Sequence, residues 1–294
     1  MIRTGKKFSK PQMSRVINGD LELADNIPED NRERLDHLLV QQYPEFNRST
    51  LQRFIKDGRV TVDGEIMLKA NAQILPTAKI ALNAPEKVKK LPHIPVIFED
   101  EHVLVLNKPA GLLSMAKGEY CEEPTLEDYG LLVHRLDRDT SGVVILAKDP
   151  ETQKMLRKQF QDRKTHKTYY AVVTGVPKQP EAIIDLPIIR NYKHPTTFMV
   201  DASGKESQTY YKILQSNSQY ALLELKPRTG RTHQLRVHLK YLGTPILGDK
   251  VYGDAEREHS DRLFLHAHQL EITIPKGDRR IFTAPVPQEF YDVF

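Results

Sequence analysis

Apolar residues recur at three- and four-residue intervals in two short stretches near the start of the chain. Leu35, Leu38 and Leu39 form the first and Leu51, Phe54 and Ile55 the second, which predicts two amphipathic helices. Ser49 is placed to cap the second helix and Gly58 to end it. The period then falls to two. Val60 and Val62 alternate with polar neighbours up to Asp63-Gly64, a tight-hairpin signal, and the return strand runs from Glu65 to Leu68. Ile74 to Leu82 predicts one further strand.

Farther along, Val96 to Phe98 and Val103 to Leu106 read as strands joined through Glu99-Asp100-Glu101, and Val143 to Ala147 reads as another. Glu151 to Gln161 carries Met155, Leu156 and Phe160 on one helical face. Tyr169 to Val173 reads as a buried strand, in which Tyr169 and Tyr170 point to opposite sides. Strands and helices alternate without a steady βαβ repeat, so the expected fold class is α+β, with a mixed sheet and no doubly wound one. No repeat of solenoid length is present.

These patterns divide the chain. Residues 1–32 hold scattered charges, glycines and prolines and read as a partly flexible arm, 33–86 as a small module, 87–95 as a charged, proline-stiffened linker, and 96–294 as the large domain. The 294 residues, 39% of them hydrophobic, suffice for one large core and one small one. The single cysteine, Cys121, excludes an intrachain disulfide and suits a reducing cytosol. A basic N-terminus without an apolar run behind it, and no stretch long enough to span a bilayer, lead to the expectation of a cytoplasmic, unanchored protein. A net charge of +4 points to a polyanionic partner only weakly.

The candidate chemistry concentrates in His134-Arg135-Leu136-Asp137-Arg138-Asp139-Thr140-Ser141-Gly142, where one carboxylate, Asp137, stands between two arginines ahead of a strand. Cationic neighbours favour the ionised form of an acid, which suits a nucleophile or base better than a proton donor. A surface ion pair between Asp137 and Arg138 is the bland alternative. The letters are shared with a kinase catalytic loop, but the order is wrong and neither a glycine-rich loop nor D-F-G is present.

The nonapeptide resembles the central motif of the RluA-type pseudouridine synthases, H-R-L-D-x-x-T-S-G. Two further motifs follow in the family's order. Lys167 to Ala171 is similar to its K-x-Y-x-A segment, and Arg228 to Leu239 to its T-G-R-T-H-Q-I-R-V-H-L segment, with Gly243 to Asp249 matching the loop after it. Asn107-Lys108-Pro109-Ala110-Gly111 and Arg262 to Ala267 match further family segments. The resemblance implies a pseudouridine synthase fold, a mainly antiparallel mixed sheet with flanking helices. It also implies an activity: conversion of uridine to pseudouridine in structured RNA.

By that resemblance Asp137 is the catalytic carboxylate, acting at the ribose as nucleophile or as base, and Tyr169 stacks on the flipped uracil and helps remove its C5 proton. Arg236 is the expected ion-pair partner of Asp137, with Arg228 or Arg231 the competing choices; Arg231 is otherwise an RNA contact. Arg135 is expected to fill the gap that the flipped base leaves in the RNA stack. The isomerisation adds and removes no atoms, so no cofactor is expected. A metal is not expected either, because His233, His238, His266 and His268 make no recognised zinc spacing. His134 is expected to bond within its own loop.

The small module resembles the RNA-binding unit of a small-subunit ribosomal protein through R-L-D at the first helix and S-x-L-Q-x-x-I-x-x-G-x-V-x-V-x-G. Arg34, Arg48, Arg53, Lys56, Arg59 and Lys69 are its candidate phosphate contacts. Pro76-Thr77 departs from the module's usual Gly-Asp at a turn. The expectation is therefore a monomeric enzyme of large-subunit ribosomal RNA, with transfer RNA as the alternative substrate and a non-catalytic ribosome-assembly factor as the alternative role.

Overall fold

The computed structural model describes residues 31–84, 90–116, 121, 123–253, 260–277 and 279–294. Most of the arm expected over 1–32, and residues 87–89 of the expected linker, lie outside them. The chain divides into two compact units at Ala84 and Pro85.

In the first unit, β1 (Glu33–Arg34) leads into α1 (Leu35–Gln42) and α2 (Arg48–Lys56). The helices bury the apolar faces named above, with Leu35, Leu39, Leu51, Phe54 and Ile55 fully enclosed. Ser49 does not cap α2. Asn47 does, its side chain accepting from the Thr50 N–H at 2.9 Å, while the Ser49 hydroxyl donates to that same Asn47 oxygen. Gly58, at φ 70°, ends the helix in the left-handed region. Strands β2 (Val60–Val62) and β3 (Glu65–Met67) close through Asp63 and Gly64, both at positive φ as a two-residue hairpin turn requires. The single strand expected over 74–82 is two: β4 (Gln73–Ile74) pairs with β1, and β5 (Ile80–Leu82) pairs with β2. A turn through Pro76-Thr77, closed by the Ala78 N–H on the Leu75 carbonyl, breaks the run.

Asp36 lies fully buried on α1 and organises this unit. It accepts from both Arg34 and Arg48 through two nitrogens each, at 2.8–3.1 Å, and from Gln52 at 2.7 Å. The Arg34 hydrogen bonds hold its carboxyl well below the usual carboxylate range, against burial, with Gln52 and Arg48 adding to the effect. A depressed pKa stabilises the fold above the unfolded-state value and ceases to do so as pH falls through the folded one. Acid should therefore loosen this unit from about pH 4 downward. Asp36→Asn should lower its stability by about 2 kcal/mol, moderated because both arginines can rehydrate, and should flatten the acid dependence. Amide exchange of α1 and α2 in the whole chain, followed against pH, measures both effects.

The second unit is built on a ten-stranded sheet. Its elements in chain order are β6 (Val96–Glu99), β7 (Val103–Lys108), β8 (Leu131–Leu132), β9 (Ser141–Ala147), α3 (Pro150–Gln161), β10 (His166–Thr174), β11 (Glu181–Asp185), β12 (Ile188–Arg190), β13 (Phe198–Val200), β14 (Gln208–Ser216), β15 (Tyr220–Pro227), α4 (Gln234–Tyr241), β16 (Leu265–Thr273) and β17 (Arg279–Thr283). The sheet runs β11-β14-β15-β10-β16-β9-β7-β6, with β17 on β16 and β8 on β9, while β12 and β13 form a separate hairpin. All pairings are antiparallel except β9 with β16. The α+β class and mainly antiparallel mixed sheet are thus present.

That one parallel contact positions the site. It joins His266 to Ser141 and Ala267 to Gly142, at the point where the nonapeptide becomes β9. Gly142 sits at φ 114°, and a Cβ there would lie 2.2 Å from the Ala267 carbonyl oxygen, so only glycine allows the two strands to approach. Leu235 and Leu239 of α4 belong to the same buried cluster as Val172, Leu223 and Leu225 of the sheet, and Arg236 of α4 reaches Asp137 ahead of β9. Residues ninety-nine positions apart meet there.

Candidate active site

Asp137 stands on a loop braced from beneath. Leu136 is buried, its N–H donates to the Ser114 hydroxyl and its carbonyl accepts from it at 2.7 Å. The Thr140 N–H closes a turn on the Asp137 carbonyl at 3.1 Å. Lys108, fully buried, donates from Nζ to the carbonyls of Pro109, Arg138 and Thr140 at 2.7–2.9 Å. Burial pushes its amine down to about 7, with Asp139 and Asp137 opposing. Three carbonyls need three N–H donors, however, so the side chain is held as an ammonium.

Arg236, only 7% exposed, reaches Asp137 through Nη1 at 3.2 Å. Its other arms form a fork on Asp249, Nε to Oδ2 and Nη2 to Oδ1, both at 2.7 Å. Asp249 is fully buried and also accepts from the N–H groups of Val251 and Tyr252 at 3.0 Å. Burial acts to raise the Asp249 carboxyl, and the Arg236 fork overrides it and holds the group below its ordinary value. Arg236 is likewise raised against the pull of burial, by Asp249 first and Asp137 second. The preceding Gly248, at φ 74°, would place a Cβ 1.9 Å from the Arg262 carbonyl oxygen.

Neither sequence neighbour of Asp137 is its partner. Arg138 pairs with Glu123 at 3.0 Å and donates to the Gly111 carbonyl. Arg135 is exposed on the rim of the cleft. That cleft, about 640 Å³, is lined by Asp137, Tyr169 and Arg236 together with the cations Arg135, Arg163, Lys167, Arg228 and Arg231. Arg231 is tied through Nε to the Glu206 carbonyl at 3.0 Å. Lys167 follows the two-residue period onto the face of β10 that carries Tyr169, and burial pushes its amine down to about 8.

Tyr169 packs against two core clusters at the base of the cleft, and burial, then Asp137, pushes its phenol up. Tyr170 packs on His268 with the rings tilted by 41° and their centroids 4.7 Å apart, away from the cleft lining. His134 does not bond within its loop: Nε2 accepts from the Ile145 N–H on β9 at 3.1 Å and the ring stacks on Phe160. Burial, then Lys167, pushes it down to about 3, so it is neutral. His266 meets Ser141 at 2.9 Å, and His238 lies between Thr209 and the Leu186 carbonyl. No group of residues suited to hold a metal occurs among the described residues.

In the first unit, Arg34 and Arg48 have their guanidinium nitrogens engaged on Asp36. Arg53 lies over the Phe54 ring at 5.9 Å. Arg59 is half-buried, and Lys56 and Lys69 are exposed.

A carboxylate on a braced loop, paired with a buried arginine beside an aromatic side chain and ringed by cations, is suited to polar chemistry on a polyanionic substrate. The comparisons with known proteins are specific. The RNA pseudouridylate synthase family matches residues 102–241, and the S4 domain matches 33–80. Ribosomal large subunit pseudouridine synthase D of Borreliella burgdorferi is 34% identical, over 99% of this chain and 92% of its own. Dual-specificity RNA pseudouridine synthase RluA of Vibrio cholerae is 42% identical, over 69% of this chain and 86% of its own. The solved structure of human RNA pseudouridylate synthase domain containing 1 superposes with a TM-score of 0.58 at 28% identity, covering 66% of this chain and 83% of that one. The chain belongs to the RNA pseudouridine synthase family and carries an S4 RNA-binding domain ahead of the catalytic unit.

Sequence reasoning assigned no role to Asp249, Lys108 or Tyr252. Asp249 and Lys108 lie inside segments that match the family, but what each does depends on partners distant in the chain.

Proposed function

We propose that this enzyme converts uridines of large-subunit ribosomal RNA to pseudouridine, with Asp137 as the reacting carboxylate. The observation that carries the reading is the Asp137–Arg236 pair in the cleft beside Tyr169. The reaction breaks the bond from ribose C1′ to uracil N1, turns the base and joins C1′ to C5. The proton on C5 leaves and N1 gains one, so the product is an isomer. Asp137 either attacks C1′ or removes the C2′ proton; both need an anionic oxygen at the ribose. Arg236 orients it, anchored from behind by Asp249.

Tyr169 takes the stacking role. Its phenol, raised by burial, stays protonated at neutral pH, which suits an aromatic platform for the flipped uracil. Arg135, exposed at the rim, replaces the flipped base in its stack. Arg231 contacts the backbone, and in the S4 domain Lys56 and Lys69 present free surface to phosphate. The proposed substrate, ribosomal RNA, is in keeping with an enzyme of the cytoplasm.

The relatives' names support the choice of RNA: one is a pseudouridine synthase of the ribosomal large subunit, the other has dual specificity. The test is tritium release from [5-³H]uridine-labelled transcripts. Large-subunit ribosomal RNA should release tritium, and pseudouridine mapping in cells lacking the protein should show the matching site unmodified. Release from transfer RNA alone would move the substrate assignment. Release from neither, with RNA binding retained, would favour the assembly-factor role.

A further inference from the structure

A hydrogen-bonded chain runs from the β12–β13 hairpin to the reacting carboxylate. The Phe198 N–H donates to the Tyr252 hydroxyl at 2.9 Å, and that hydroxyl lies 2.8 Å from His233 Nδ1. In the arrangement that also uses the phenol proton, Tyr252 donates to the ring and Nδ1 accepts. The imidazole is neutral: burial pushes it below its ordinary value, against the opposing pull of Asp137. A neutral ring that accepts at Nδ1 carries its hydrogen on Nε2. That nitrogen faces Asp137, 3.9 Å from Oδ2.

The ring is fixed where it stands. Phe198 and Tyr252 meet it edge-on at 5.6 and 5.5 Å, and Arg236 lies over the Tyr252 ring at 5.1 Å. Its backbone, at φ 57° and ψ 17°, is left-handed, a conformation that non-glycine residues adopt seldom and that is held here at the start of α4. A donor is thus held beside Oδ2 of Asp137 at a separation too long for a direct hydrogen bond.

The gap fits one intervening oxygen. An atom about 2.8 Å from both Nε2 and Oδ2 would subtend roughly 90° between them, a reachable geometry for a hydroxyl that accepts from one and donates to the other. In an internal nucleotide the 3′ and 5′ oxygens are phosphodiesters, so the 2′-hydroxyl is the only free hydroxyl of the ribose. It is bonded to C2′ and lies next to C1′, the two carbons at which Asp137 can act. Resting on the assignment of Asp137 as the reacting carboxylate, we propose that His233 Nε2–H binds the 2′-hydroxyl of the flipped uridine. This contact reads ribose against deoxyribose and sets C1′ in register with Asp137.

The test pairs two transcripts of large-subunit ribosomal RNA, both tritiated at uridine C5, one with ordinary uridine and one with 2′-fluorouridine. Fluorine leaves the sugar pucker close to that of RNA but is a poor acceptor for Nε2–H and cannot donate to Asp137; it also withdraws electrons from C1′ and slows bond breaking there in every variant alike. The fluorine penalty in kcat/KM should therefore be roughly tenfold larger in wild type than in His233→Ala or His233→Asn, which should themselves lose about tenfold on ordinary RNA. His233→Gln, whose amide reaches the Nε2 position, should keep most of the wild-type preference. The ratio between the two RNAs within each variant is independent of the fraction folded. Independent, multiplying effects of His233→Ala and fluorine would overturn the proposal, as would full activity of His233→Ala. Asp137→Asn separates the two ideas: turnover retained there would remove the underlying site assignment, whereas its loss together with independent effects would remove only the His233 contact.

Discussion

Asp137→Asn is expected to lower turnover by roughly 10⁴-fold or more while leaving RNA affinity and thermal stability close to wild type. Asparagine preserves the shape of the side chain and an oxygen for Arg236 Nη1, now 3.2 Å from the carboxylate. It removes the anionic oxygen that either route requires, attack at C1′ or removal of the C2′ proton. The cations that line the cleft, Arg135, Arg163, Lys167, Arg228 and Arg231, are untouched, so phosphate contacts survive. Tritium release under single-turnover conditions, with RNA binding measured in parallel, gives the result. Substantial residual turnover in pure protein would exclude Asp137 as the reacting group. A parallel loss of binding would mean that the carboxylate shapes the cleft and does not act in it.

The environment of Asp137 also shows how far the sequence could be read. Periodicity located α1, α2, α3, the Asp63-Gly64 hairpin and β10, because each depends on side chains within a few positions of one another. It failed where a competing local partner decided the outcome. Asn47 takes the cap of α2 because its side-chain oxygen reaches the Thr50 N–H, while the Ser49 hydroxyl turns back to Asn47. A turn at Pro76-Thr77 divides one apolar run into strands of different pairing.

Charge was the least legible property. A row of basic residues in sequence does not reveal which of them are neutralised internally, and the buried Asp36 engages Arg34 and Arg48 together. The same holds at the active site, where Arg138, adjacent to Asp137, turns outward to Glu123, and Arg236 reaches in from α4. Family motifs overcame the distance for Arg236. They did not show that two of its three side-chain hydrogen bonds are to Asp249, since that geometry depends on the loop at Gly248 packing against the backbone of Arg262.

Asp249 is the residue on which this arrangement depends most, and Asp249→Ala is expected to impair stability and catalysis by separable mechanisms. Its removal strips a guanidinium that is only 7% exposed of two short charged hydrogen bonds and leaves the N–H groups of Val251 and Tyr252 without their acceptor. Breaking a buried pair from one side costs about 3–5 kcal/mol, which should lower the melting temperature by roughly 10 °C. Catalysis should fall about 100-fold in kcat below the unfolding range, because the freed Arg236 can close onto Asp137 or leave it, and either displaces the reacting oxygen. A second variant distinguishes the two effects. Replacing the pair together, Arg236→Met with Asp249→Leu, removes both buried charges, and such exchanges are often neutral or stabilising. Thermal melting should then recover much of the loss while tritium release stays low. Recovery of turnover along with stability would show that Asp249 serves only the fold and that Asp137 needs no oriented arginine.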